Sequence, residues 1–283
     1  MKHVVSFSGG RTGAYLVHLM EQKRSVDGWD VSYVFMDTDA EHPKTYDFVR
    51  NVSKYFGVEI TCLRVDINPE LGKGNSYKVV SIDDICQDLQ PWKDMIKKYG
   101  VPYYGGAFCT DRMKLGPFTK YCNERFGKGN YTTWLGIRAD EPKRLSEKDG
   151  IRFLAELSDF EKVDVLRWWS EQEFDLGIDE WNGNCVFCMK KSDLKLAAAQ
   201  RDNPGHYIEF LEMLECDDVR TGDKAGSKDS MYRKKRSLQQ VVAMFDGSTG
   251  SEIKSRIRGA KMTETGSCSE SCEVFNCQID MFD

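Results

Sequence analysis

The sequence predicts an α/β protein: a parallel twisted sheet with helices on both faces, continued by a mainly helical C-terminal region. Three observations lead there. Apolar runs rich in β-branched residues at 3–7, 31–36 and 58–65 alternate with segments of helical spacing, the pattern of strands joined by crossover helices. Two glycines follow the first run at once, as at the carboxyl end of a buried parallel strand. Beyond about residue 160 the alternation gives way to charged and aromatic-rich segments of helical or irregular character.

The elements follow in order. After the strand at 3–7, Ala14, Leu16, Val17 and Met20 share one side of a helix that runs from Thr12 to near Arg24. The strand at 31–36 ends in Asp37-Thr38, and Pro43 opens a second helix in which Tyr46, Phe48, Val49, Val52 and Tyr55 recur at helical spacing. A third strand occupies 58–65, and a later one at 131–137 ends in Arg138-Ala139-Asp140-Glu141. In such sheets ligands bind outside the carboxyl ends of the strands, which places Ser8 to Gly13, Asp37-Thr38 and the Arg138 segment on one edge. The division expected is a nucleotide-binding α/β domain over 1–160 and a helical or irregular region over 161–283, with linkers at 222–229 and 247–250.

Composition narrows the class. A formal charge of −5 over 283 residues excludes a protein that coats nucleic acid by global charge. The local clusters Arg233-Lys234-Lys235-Arg236 and Lys254, Arg256, Arg258, Lys261 read either as a solvated helix face or as a basic substrate strip. No apolar stretch is long enough to cross a bilayer, and the N-terminus enters a strand without a signal-peptide core, so a cytoplasmic protein with no membrane partner is expected. Ten cysteines fall short of a disulfide scaffold and favour metal ligation or thiol chemistry.

Two segments carry chemistry. In Ser8-Gly9-Gly10-Arg11-Thr12-Gly13 the glycines let backbone approach a phosphate, the following helix start supplies free N–H groups, and Ser8, Thr12 and Arg11 add donors and charge. A plain strand-to-helix turn is the competing reading of the glycines, and the loop matches neither a Walker A nor a dinucleotide fingerprint. Cys185-Val186-Phe187-Cys188 is a C-x-x-C pair fit for zinc, iron-sulfur or a redox disulfide, with no thioredoxin-type context around it. Cys62, Cys86, Cys122 and Cys216 read as small buried hydrophobes.

As a set, these segments resemble the PP-loop ATP pyrophosphatases, or adenine nucleotide alpha hydrolases, in their phosphoadenylylsulfate reductase-like branch. Residues 8–12 look like the pyrophosphate loop, with Gly13 where a serine is common. Phe35-Met36-Asp37-Thr38 with Glu41 and Thr45 looks like the second-strand motif. Cys109-Thr110-Asp111-Arg112-Met113-Lys114 with Pro117 resembles the cysteine motif, and Gly136 to Glu141 with Arg144 the Gly-x-Arg-x-x-Glu segment. Phe174-Asp175-Leu176 before Asn184 and the C-x-x-C pair is similar to phage and prophage members.

The resemblance implies that Ser8, Gly9, Gly10, Arg11, Thr12 and Gly13 bind the phosphates of ATP or a sulfonucleotide. Asp37 and Thr38 would stand beside the nucleotide, Asp37 through ribose, adenine or a water on Mg2+, and Arg138 and Arg144 would reach a phosphate or substrate anion. It shifts the cysteine reading toward a 4Fe-4S cluster, with zinc as the alternative. Cys109, Cys185 and Cys188 are its ligands, the second upstream cysteine being Thr110. The fourth is Cys272 or another of the tail cysteines Cys268 and Cys277, unless one iron stays open for sulfide as in some tRNA thiolation enzymes. The tail nucleophile motif of sulfonucleotide reductases is absent, His206 being the last histidine.

These implications lead to a nucleotide-activating sulfurtransferase acting on a nucleic acid or its component, similar in its parts to DNA phosphorothioation sulfurtransferases, with a sulfur donor protein as a further partner. Its alternatives are a phosphoadenylylsulfate or adenylylsulfate reductase and a nonenzymatic zinc- and nucleotide-binding module.

Overall fold

The computed structural model describes residues 1–103, 108–221, 232 and 236–260. Six strands form one sheet in the order β4-β3-β2-β1-β5-β6: β1 (Lys2–Phe7), β2 (Asp30–Asp37), β3 (Ile60–Asp66), β4 (Ser76–Val80), β5 (Tyr131–Leu135) and β6 (Ile151–Phe153). All neighbouring pairs are parallel except β3 with β4. β1 pairs Phe7 with Phe35 on one side and Ser6 with Leu135 on the other, so three carboxyl ends finish level. The chain leaves β1 toward β2 and later returns to β1's other flank as β5, which makes the β1/β5 crevice the topological switch point of the sheet.

Alternation along the strands sorts the two faces, because successive side chains of a strand point to opposite sides. Val5, Phe7, Tyr33 and Phe35 pack with α1 (Arg11–Asp27), α2 (Pro43–Phe56) and Trp169 of α5 (Lys162–Ser170). Val4, Val34, Met36 and Leu63 pack with Phe118 and Cys122 of α4 (Gly116–Phe126). Helices thus cover both faces. α1 and α2 each stop at a glycine in the left-handed region, Gly28 at φ 69° and Gly57 at φ 63°, where an L side chain is costly. Pro43 occupies the first turn of α2, and the His42 ring accepts a hydrogen bond from the Lys44 amide.

A third core joins α3 (Gln90–Tyr99), α6 (Asp193–Asp202), α7 (Pro204–Leu214), α8 (Leu238–Ala243) and α9 (Gly250–Ala260) around Trp92, Val186, Phe187 and Phe210. In the basic run of α9, Lys254 pairs with Asp202 while Arg256 and Arg258 are exposed. Several boundaries differ from the sequence expectation: α1 extends to Asp27, β3 begins at Ile60, and the strand expected at 131–137 ends at Leu135. The antiparallel edge strand β4 and the three-residue β6 were not anticipated. β4 leaves Val79 exposed and alternates weakly, and β6 is too short to show a period.

Candidate functional site

A cavity of about 320 Å3 opens at the carboxyl ends of β1 and β5. Residues 8–12, Thr45 and Arg138 line it from the sheet, and Lys162, Val165 and the segment 175–184 complete it. The glycine turn is built for close approach. Gly9 sits at φ +77°, and a Cβ there would meet Thr45 Cγ2 at 2.8 Å and Phe35 Cε2 at 3.2 Å. Gly10 caps α1 without a side-chain hydrogen bond, so the first helical N–H groups have no cap acceptor. A Cβ on Gly13 would stand 3.1 Å from the Phe7 ring, which accounts for glycine where the related motif has serine. Ser8 Oγ and Thr45 Oγ1 are buried on this wall with no hydrogen-bond partner among the described residues. Orphaned buried hydroxyls are costly, and an oxyanion in the cavity would satisfy both.

Gly9→Ala is therefore expected to lower folding stability by about 1–3 kcal/mol, from the left-handed backbone and the contact with Thr45 together. Urea unfolding measures it, and an unchanged midpoint would show that the turn relaxes without cost.

The cationic side chains lining the cavity are paired with acids. Arg11 donates from Nε and Nη2 to both oxygens of Asp175, at 2.6 and 2.5 Å. Burial pushes the Asp175 carboxyl up, but these bonds and the Arg11 charge outweigh it and hold the group below its ordinary range. Arg138 is buried, with Nε 2.7 Å from Asp140 Oδ1 and Nη1 3.2 Å from Thr12 Oγ1. Arg144 lies outside the lining and pairs with Glu141, which also faces Arg138 at 3.6 Å. Glu180 receives Lys162 at 2.9 Å and Lys195 at 2.5 Å. Trp169 Nε1 donates to the Arg11 carbonyl at 2.9 Å and Lys44 Nζ to that of Gly177 at 3.1 Å, so α5 and the 175–184 segment are tied to the phosphate turn.

Asp37 and Thr38 stand elsewhere. Asp37 is fully buried outside the lining, accepting from Arg64 Nη2 at 2.7 Å and from the Asp39 amide at 3.0 Å. Its carboxyl is thereby committed to positioning the strand end. Thr38 turns toward the cysteines: its Oγ1 donates to Glu41 at 2.7 Å and lies 3.3 Å from Cys185 Sγ.

A second, smaller cavity of about 30 Å3 gathers Cys109, Cys185 and Cys188 with Thr38, Trp92, Met113 and Lys114. Cys109, which directly precedes a π-helical turn at Thr110–Leu115 ahead of α4, meets here the far later Cys185 and Cys188. The C-x-x-C segment is pinned to the end of β2 by a bridge between Glu41 and Cys185 and by the Val186 amide on the Ala40 carbonyl at 2.9 Å. Burial and then the Glu41 charge push the Cys185 thiol up, opposed by Lys114. Lys191 is buried inside the loop, its Nζ donating to the carbonyls of Trp181 at 2.6 Å and Val186 at 2.9 Å. Desolvation lowers its pKa to about 8. Among the described residues no group of three or more His, Cys, Asp or Glu side chains is disposed to hold a metal ion. Cys268, Cys272 and Cys277 lie outside the described residues, as do Arg233, Lys234, Lys235, Lys261 and the linker expected at 222–229.

Sequence reasoning missed Arg64, Lys162, Glu180 and Lys191. Arg64, Lys162 and Glu180 act through partners well separated in the chain and Lys191 through carbonyls of its own loop, so no local spacing announces them.

A family model described as the phosphoadenosine phosphosulfate reductase domain matches residues 2–178. The chain belongs to this family. The region matched to the phosphoadenosine phosphosulfate reductase domain runs from β1 through Asp175 and ends before Cys185. An uncharacterized nin region protein, ORF290, of Escherichia phage lambda is 56% identical over 283 residues, covering 99% of this chain and 97% of that protein. An uncharacterized protein, MJ0066, of Methanocaldococcus jannaschii is 28% identical over 148 residues, 52% of this chain and 25% of that one. The solved phosphoadenylyl-sulfate (PAPS) reductase of Candida auris, in its phosphate complex, aligns over 60% of this chain and 71% of that chain with 18% identity and a TM-score of 0.34. Among the described residues no helix is long and apolar enough to cross a membrane.

Proposed function

We propose that this protein is a nucleotide-activating sulfurtransferase that works on a nucleic acid or its component, binding ATP at the glycine turn and a 4Fe-4S cluster at the three cysteines. The observation that carries the reading is the shared wall between the cavities: the segment 175–184 lines the phosphate side and runs directly into Cys185 and Cys188. Activation chemistry and sulfur chemistry would then sit on one continuous piece of chain.

The donor set fits the cluster. Three thiols on one cavity are soft donors of the kind that hold iron-sulfur centres, and zinc is the alternative the same thiols would take. Bound there, the cluster supplies a sulfur-binding or electron-donating centre. Cys109, Cys185 and Cys188 would hold it, with Thr38 and Lys114 beside them. Asp37 does not fit a magnesium role, because Arg64 and the Asp39 amide already take its oxygens.

The chain's own groups support the first half of the reaction. N–H groups of the glycine turn, Ser8 Oγ and Thr45 Oγ1 would bind phosphate oxygens, and Arg138 would offset charge as an acceptor oxygen attacks the α-phosphorus and the bond to pyrophosphate breaks. A sulfur nucleophile would then displace AMP. The family match favours a second reading, a sulfonucleotide reductase in which a thiolate attacks sulfate sulfur, but the expected C-terminal nucleophile motif is absent from the sequence.

Anaerobic purification with iron and sulfide analysis, followed by a pyrophosphate-release assay with ATP, tests the reading. About four irons per chain and ATP-dependent pyrophosphate release are expected. Stoichiometric zinc without acid-labile sulfide, or sulfite release from a sulfonucleotide with no use of ATP, would overturn it.

A further inference from the structure

Arg11 leaves the glycine turn with its guanidinium already engaged, and we infer that the Asp175 carboxylate is a built-in stand-in for a phosphoanion. It holds Arg11 until phosphate oxygens arrive and is then displaced, so that Asp175 sets the threshold for anion binding. This rests on the glycine turn being a phosphate site, and it adds a regulatory residue to that site.

The contact has the geometry of anion recognition. Arg11 opens α1 and donates from Nε and Nη2 to the two oxygens of Asp175 at 2.6 and 2.5 Å. That two-bond fork is the arrangement a guanidinium offers to phosphate. Its remaining nitrogen, Nη1, reaches the Ile178 carbonyl at 3.4 Å. Both side chains line the cavity that Ser8 and Thr45 also line, so an anion seated on the helix-start N–H groups meets an arginine whose donors are committed. A phosphate chain carries more negative charge than one carboxylate and shares the N–H groups as well, which makes it the stronger acceptor for Arg11.

The exchange costs the chain little. The Asp175 side chain is 37% exposed and that of Arg11 21%, so the pair is only partly desolvated and correspondingly weak. Once freed, the carboxylate keeps the Gly177 amide at 3.3 Å and is hydrated at the surface. The backbone behind it stays in place. Leu176 is buried in the core with residues of α1 and α2, and from Glu180 onward the segment is anchored to α6 by Lys195 and by Trp181 and Asn182 on Asp202. A change of side-chain partners is therefore enough to open the Arg11 fork.

Calorimetry with inorganic pyrophosphate on the full-length protein, purified anaerobically, reads the exchange. Asp175→Asn keeps the shape and gives up the charge, and is expected to bind pyrophosphate at least about tenfold more tightly than the parent. Asp175→Ala, a second route to the same release, should show the same gain. Asp179→Asn removes an equal charge from the same lining and is expected to change binding by less than about threefold. Arg11→Gln should weaken binding, and in that background Asp175→Asn is expected to add less than about twofold, because the pair no longer exists. Unchanged or weaker binding by both Asp175 variants would show that the carboxylate orients Arg11 for the anion, which overturns the stand-in role and leaves the phosphate site standing. A gain as large in Asp179→Asn, or one that persists without Arg11, reduces the effect to overall charge and overturns it too. Failure of the parent and both Asp175 variants to bind pyrophosphate overturns the phosphate site itself.

Discussion

Exchange of Cys185 for serine is expected to leave the anaerobically purified protein without iron, and Cys188→Ser is expected to do the same. Cys185 is buried at the end of β2, where the Glu41 bridge and the Val186 amide fix its backbone. A serine would keep that shape and its hydrogen-bond reach to Thr38 while removing the soft thiolate that iron-sulfur clusters require. Far-UV circular dichroism should therefore stay close to that of the parent, and ATP binding at the glycine turn should change by less than about threefold, because the turn and its donors are untouched. Loss of the visible iron-sulfur absorbance with nucleotide binding retained is the expected signature. Full iron in both serine variants would show that the thiols are not ligands, and the shared cavity would then need another explanation.

What the sequence revealed depended on whether the signal was local. β1, α1, β2, α2 and β3 were legible because alternating apolar runs and helical spacing report directly which face is buried. The glycine turn was legible because backbone geometry at Gly9 permits little else. The three cysteines that line one cavity were picked out by motif, and no spacing in the chain could have predicted that Cys109 meets Cys185. Asp37 was given a place beside the nucleotide by the family resemblance, at the end of its strand. Its partner Arg64 comes 27 residues later on the neighbouring strand, in register with it, and that cross-strand clasp has no local signature. Lys191 reads in sequence as one more surface lysine, Met189-Lys190-Lys191-Ser192. Its burial is visible only once the loop folds its carbonyls inward around the ammonium.

The acids beside Asp37 lead to the other large expected effect: Asp39→Asn should flatten the dependence of folding stability on pH and make the protein more stable than the parent in mildly alkaline solution. Asp39 is fully buried at φ +57°, a conformation that asparagine adopts as readily as aspartate. Arg64 Nε lies 2.8 Å from its Oδ1, but the same guanidinium also serves Asp37 at 2.7 Å. Burial first, then the bond with Asp88 and the charge of Asp37, push the Asp39 carboxyl from 3.8 to about 11. The folded state therefore keeps a proton here that the unfolded chain releases above about pH 4. Because the folded form binds more protons across that window, its stability is full below the unfolded value and declines as pH rises toward the folded one. One retained proton corresponds to at most about 1.4 kcal/mol per pH unit. Asparagine replaces the protonated carboxyl with a neutral group of nearly the same shape that still donates to Asp88, and nothing there titrates. Urea unfolding of both proteins between about pH 5 and 9 should give a falling curve for the parent and a flatter one for the variant, crossing before the alkaline end. Parallel curves would show that the proton is held instead on Asp37, whose carboxyl burial also pushes up.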